Sequence, residues 1–171
     1  MGDHSETIQI DYDPTQISYQ QLLDVFWSSH DPTYKSWSRQ YMSIIFYHNE
    51  EQKRLAIETK ESEEARLGRE ISTEIVPFSK FYLAEDYHQK YYLRQESALM
   101  EEFNAIYPDP KDFIDSTAAA RVNGYVAGYG TLATLEEEPG ILGLSQAGIE
   151  RLLKIASRGL RPACPLPNTP G

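Results

Sequence analysis

The chain has 171 residues, a net charge of −10 and one cysteine. With 40% hydrophobic and 25% charged residues it can bury a core, and it is neither fibrous nor wholly disordered. A single cysteine excludes an internal disulfide framework and a Cys-rich zinc site, and the acidic balance disfavours nucleic acid and anionic membrane as partners. No apolar run approaches the roughly 20 residues that span a bilayer. Residues 1–6 lack a signal-peptide pattern. The expectation is an intracellular, cytoplasmic protein, or an organellar one if a targeting segment lies upstream.

Taken in chain order, Thr7 to Asp11 alternates, with Ile8 and Ile10 on one side, and predicts a strand with one buried face. Asp13-Pro14 marks a turn. Ser18 with Gln21 forms a capping-box signature. It opens a helix whose stripe is Leu22, Leu23, Phe26 and Trp27, ending near His30-Asp31-Pro32. Gln40 to His48 predicts a central strand, because apolar groups lie on both faces. Asn49 caps an acidic, exposed helix that closes at Gly68. Ile71 to Val76 predicts a third strand, and Ala84-Glu85-Asp86 opens a short Tyr-rich helix. This is a β-α-β-α-β pattern, an α/β sandwich with helices on a small sheet. A strand apolar on both faces calls for more sheet than three strands supply.

The remainder differs. Ser116 to Val126 is rich in small residues and predicts a helix, with Gly124, Gly128 and Gly130 at its end. Glu136 to Gly140 reads as a linker. Ser145 caps a last helix carrying Ile149, Leu152, Leu153 and Ala156, which Gly159 and Pro162 end. The expected domains are 1–107, an α/β core; 108–161, a helical extension; and 162–171, a disordered proline-rich tail.

Residue types alone leave the chemistry open. The glycines at 124, 128 and 130 lack the spacing of a phosphate loop. His4, His30, His48 and His88 are scattered, and surface or structural roles outweigh ligation. Cys164 lies among prolines, with no evident base. Glu6, at a strand end, is either a general acid whose pKa burial raises or a solvated charge, the commoner role. Tyr41 is either a hydrogen-bond donor to a substrate oxygen or a packed aromatic. The dense segment Ala84 to Tyr92 suits a buried hydrogen-bond network at least as well as catalysis.

Five stretches in order resemble the A-type methionine sulfoxide reductases, the peptide-methionine (S)-S-oxide reductase family. They are Gly2-Asp3-His4-Ser5-Glu6 running into Ile10-Asp11-Tyr12-Asp13-Pro14; Ile17-Ser18-Tyr19 with Leu22-Leu23 and Phe26-Trp27; His30-Asp31-Pro32-Thr33; Gln40-Tyr41 with Ser43; and Phe81 through Tyr91. They cover roughly residues 2–93.

The resemblance implies a two-layer α/β sandwich related to ferredoxin-like folds, here missing its first strand and helix and followed by a helical C-terminal extension. It implies reduction of methionine-S-sulfoxide, free or in proteins, as repair of oxidative damage. In that chemistry a Cys thiolate attacks sulfur and a Glu protonates the oxygen, held by tyrosine hydroxyls. By motif position Glu6 matches the proton donor and Tyr41 an oxygen-binding tyrosine, with His88 and its neighbours in support. Cys164 matches a resolving thiol of the tail. No bound cofactor is implied. Thioredoxin, or dithiothreitol in vitro, is the external reductant, and the protein is expected to be a monomer.

Two features depart from the family. Nothing matches its Gly-Cys-Phe-Trp-Gly nucleophile motif, and the loop Tyr34 to Arg39 is short, with Ser36 where an Asp is usual. The expectation is therefore an N-terminally shortened, inactive or weakly active form of a reductase. The alternative is a non-catalytic binding or regulatory module on the same scaffold. A different enzyme using Cys164 is the remotest reading.

Overall fold

Ser18 opens the first helix by reciprocal capping: its hydroxyl accepts from the Gln21 N–H at 3.2 Å, and its own N–H donates to Gln21 Oε1 at 2.8 Å. The computed structural model describes residues 4–159 and divides at Phe81/Tyr82 into two compact units, each with its own core.

In the first unit, α1 (Tyr19–Ser28) buries Leu23 and Trp27. The strand β1 (Ile44–Tyr47) leads into α2 (Glu50–Leu67), and β2 (Glu74–Pro77) follows. Asn49 caps α2 by accepting from the Gln52 N–H at 2.9 Å. Gly68 ends α2 at φ 63°, a left-handed conformation that glycine adopts without a Cβ clash. The two strands run parallel, with Ile45 opposite Ile75. Parallel neighbours need a crossover connection, which α2 supplies. Leu23, Trp27, Ile45, Ala56 and Ile71 form the core. Within it the Trp27 Nε1–H is buried with no hydrogen-bond partner among the described residues.

The sheet corrects three expectations. Thr7 to Asp11 is not a strand: Ile8 is 81% and Ile10 53% exposed. Alternation supplies a face, but a strand forms only against a partner for its backbone groups. Among the described residues β1 pairs with β2 alone, so it is not a central strand, and residues 39–41 form a 3-10 turn ahead of it. The third predicted strand begins later than expected, at Glu74, and includes Pro77. A proline is tolerated there because it withholds a donor only on a strand edge.

The second unit is helical: α3 (Tyr91–Arg94), α4 (Ser97–Ile106), α5 (Pro110–Asp115), α6 (Thr117–Val126), α7 (Leu132–Glu137) and α8 (Gln146–Gly159). The sequence boundary at 107/108 falls inside it, between α4 and α5. Asp109 caps α5 and Ser116 caps α6. Ser145 Oγ accepts from the Gly148 N–H at 3.1 Å and caps α8. Glu102 then holds Ser145, accepting from its N–H at 2.7 Å and its hydroxyl at 2.8 Å. Phe103, Leu99, Val122, Leu135, Leu142 and Leu152 are fully buried. The expected linker is therefore folded: Leu135 of α7 and Leu142 after the turn Pro139–Ile141 enter the core. They are seven positions apart, but α7 ends at Glu137 and the turn Pro139–Ile141 intervenes, so no single helix face carries both and their burial follows from the packing. The tail 162–171 lies outside the described residues.

Candidate functional site

The segment Ser5-Glu6 is held against the 3-10 turn Arg39–Tyr41 by backbone and side-chain bonds together. The Glu6 N–H donates to the Gln40 carbonyl at 2.9 Å. Gln40 Nε2 donates to Glu6 Oε1 at 2.7 Å. Ser5 Oγ donates to the Arg39 carbonyl at 2.9 Å. Arg39 in turn pairs with Glu74 of β2 at 3.3 Å. The turn ends at Tyr41, whose side chain is 60% exposed. Glu6 and Tyr41, which are 35 positions apart in sequence, thus belong to one tethered pair of segments.

Glu6 is exposed and so is Tyr41. The burial that would mark a general acid is not present at Glu6 among the described residues. The Gln40 amide occupies one carboxylate oxygen. Around the turn, Trp37 is 83% exposed and Tyr34 is also exposed. Gln40 had no role assigned on sequence grounds, and only its adjacency to Tyr41 could have pointed to it.

Two other turns of the first unit are built by aspartates. Asp31 Oδ1 accepts from the Thr33 hydroxyl at 2.7 Å and its N–H at 2.9 Å. Those bonds, the hydroxyl first, hold the Asp31 carboxyl below the usual carboxylate range. Asp13 is held low in the same way by Thr15. An open groove of about 630 Å³ runs along residues 70–76 and the Ile57, Lys60 and Glu61 side of α2; neither Glu6 nor Tyr41 lines it.

The segment Ala84 to Tyr92, in the second unit, is not a buried network. Glu85, Asp86, Tyr87 and His88 are exposed, with His88 3.9 Å from Glu85 and its ring tilted 40° against that of Tyr87. A 3-10 turn, Asp86–His88, replaces the expected helix start. Lys90, at φ 53°, is the only non-glycine residue with positive φ among the described residues, and burial pushes its amine down. Cys164 lies outside the described residues. Among those residues no set of His, Cys, Asp and Glu converges as a metal site, and no helix is long and apolar enough to cross a membrane.

Comparison with known proteins places this geometry in a context. Residues 1–120 match the family model described as peptide methionine sulfoxide reductase. Residues 111–156 match that described as the helical domain of selenoprotein methionine sulfoxide reductase A. A peptide methionine sulfoxide reductase of Drosophila melanogaster is 44% identical over 147 residues, covering 85% of this chain and 58% of that protein. The enzyme named MsrA in Methanosarcina acetivorans is 52% identical over 96 residues, covering 52% of this chain and 51% of its own. The A1 protein of Arabidopsis thaliana is 45% identical over 93 residues and is covered over 46% of its length. The chain thus spans about half the length of the curated relatives it matches. With its family model matched over residues 1–120, the chain belongs to the peptide methionine sulfoxide reductase family.

Proposed function

We propose that the chain carries the proton-donor side of thiol-dependent methionine-S-sulfoxide reduction, acting as a monomer in repair of oxidised methionine, free or in proteins. The observation that supports it is the Gln40–Glu6 hydrogen bond at 2.7 Å, in the turn that ends with Tyr41. A thiolate attacks the sulfoxide sulfur while Glu6 passes a proton to the oxygen and the Tyr41 hydroxyl donates to it. Methionine leaves, and the oxygen stays on the attacking sulfur as a sulfenic acid. A second thiol condenses with it, releasing water and leaving a disulfide that thioredoxin, or dithiothreitol in vitro, reduces. In this reading the two-stranded sheet is part of the family's two-layer, ferredoxin-like sandwich.

Cys164 is the only cysteine in the sequence, and we assign it the resolving role. An attacking thiol must then come from elsewhere, and the chain alone turns over slowly or not at all. The test is a reductase assay with methionine-S-sulfoxide and dithiothreitol. It uses the chain alone and the chain joined to the part of the Drosophila relative outside the match. Turnover by the joined protein only, reduced about 10² to 10⁴-fold by Glu6→Gln, is the expected result. The Tyr41→Phe change should cost about 10-fold, the worth of one hydrogen bond to a developing charge. Full activity of the joined Glu6→Gln protein would remove Glu6 as the donor. Turnover by the chain alone that Cys164→Ser abolishes would make Cys164 the attacking thiol.

The single cysteine also favours a second reading, a non-catalytic binding or regulatory module. Saturable binding of methionine sulfoxide by the chain, with an inactive joined protein, would select it.

A further inference from the structure

Four groups of the first unit form one directed chain of hydrogen bonds. His30 follows the C-terminal end of α1, and its Nδ1 lies 2.9 Å from the Phe26 carbonyl oxygen. Its Nε2 lies 2.9 Å from Ser43 Oγ. Thr73 Oγ1 donates to that same Ser43 Oγ at 2.9 Å. A carbonyl only accepts, so Nδ1 carries a proton. In the neutral ring Nε2 is then a bare acceptor, and the Ser43 hydroxyl donates to it. Thr73 fills the remaining demand of Ser43. With the ring neutral, each proton in the chain then has one position, and the Ser29 hydroxyl, 3.4 Å from Nδ1, donates to the same Phe26 carbonyl at 2.8 Å. The imidazole is also packed, with ring centroids 4.8 Å from Phe26 and 6.5 Å from Trp27. Thr73 is 1% exposed.

The proposed reaction uses none of these groups, yet they anchor the segment that does the work. Ser43 lies directly before β1 and closes the stretch that begins with the Arg39–Tyr41 turn. The other side-chain ties on that turn, Arg39 to Glu74, Gln40 to Glu6 and Ser5 to the Arg39 carbonyl, are all solvent-exposed, and an exposed ion pair holds little. The His30–Ser43–Thr73 chain is the sheltered one.

We infer that His30 is a positioning residue: through Ser43 it fixes the Arg39–Tyr41 turn and thereby the Gln40 amide that grips the Glu6 carboxylate. The inference rests on the reading of Glu6 as proton donor, but its test needs no turnover. In the isotopically labelled full chain, the His30 ring nitrogens should report the Nδ1–H tautomer, the reverse of the form free histidine favours. The Gln40 side-chain amide should be protected. His30→Ala should return that amide to the shift of a free glutamine and speed its exchange about 10-fold. His30→Gln, whose Oε1 can accept from Ser43, should restore it. Ser43→Ala deletes a single hydroxyl and should reproduce the loss even if His30→Ala fails to fold. An Nε2–H tautomer, or an unchanged Gln40 amide in folded Ser43→Ala, overturns the inference. Either outcome leaves the role of Glu6 to the Glu6→Gln assay, so the two claims fail separately.

Discussion

The two units of the chain are built on different principles. Residues 4–81 hold a core of five buried apolar side chains under a two-stranded sheet, and that core contains a buried indole N–H with no partner among the described residues. Residues 82–159 hold twelve buried apolar side chains, all but Leu142 from helices. Polar ties lock those helices together, such as Leu93 N–H to Asn123 Oδ1 at 3.1 Å, Arg151 to Glu96 at 2.8 Å, and Arg121 to Glu138. The candidate chemistry sits in the thin unit, on a turn with exposed aromatics around it. Sites that must admit a substrate are drawn from less stable regions, and stability is then concentrated elsewhere. The second unit shows where it is concentrated here.

The largest effect is expected from Phe103→Ala, which empties the centre of the helical core. Phe103 is fully buried and its ring packs 6.0 Å from Phe113. The loss should be about 3–5 kcal/mol, read as the urea midpoint of the far-ultraviolet circular dichroism. Both tryptophans, Trp27 and Trp37, belong to the first unit, so their emission reports on that unit alone. Its midpoint should move less than the dichroism. An equal movement of both would mean that the units unfold as one.

A pair of glycine substitutions sharpens the contrast further. Gly130 has φ 94°, and a Cβ there would lie 2.7 Å from the Tyr125 ring. Gly130→Ala adds overpacking to backbone strain, about 2–3 kcal/mol in the second unit. Gly68 also has positive φ, but nothing lies within 4 Å of its added Cβ. Gly68→Ala should therefore show the backbone cost alone, about 1 kcal/mol in the first unit. Equal losses would show that the tight fit around Tyr125 contributes nothing.

The smallest effect is that of acid on the first unit. Asp13 and Asp31 have folded pKa values below the ordinary aspartate value. Each contributes stability that is complete above the unfolded value, near pH 4, and is lost as pH falls through the folded value. Tryptophan emission midpoints should fall from about pH 4 downward. Asp31→Asn should flatten that slope. An unchanged slope would mean that the Thr33 bonds persist in the unfolded chain.

Much of the fold was legible because capping is local. Ser18 with Gln21, Asn49 with Gln52, Gly68 and Ser145 each act within a few residues of the helix they bound, and the structure keeps all of them. Strand pairing is not local. Thr7 to Asp11 has the alternation of a strand and none of the partners, while Leu135 and Leu142, which flank the stretch read as a linker, are wholly buried. At the site, motif position brought Glu6 and Tyr41 forward, but Gln40, which joins their segments, stood in the same resembling stretch as Tyr41 with no role of its own.

By itself the sequence determined where α1 and α2 begin and end, where α6 and α8 begin, the acidic surface, and the motif order that carries the family. Those properties depend on near neighbours or on composition. Only the tertiary structure decided which polar groups meet, as with His30 and Ser43, 13 positions apart, and Ser43 and Thr73, 30 apart. A hydrogen bond needs its partner within about 3 Å, and that distance between remote residues is set by packing, not by spacing along the chain.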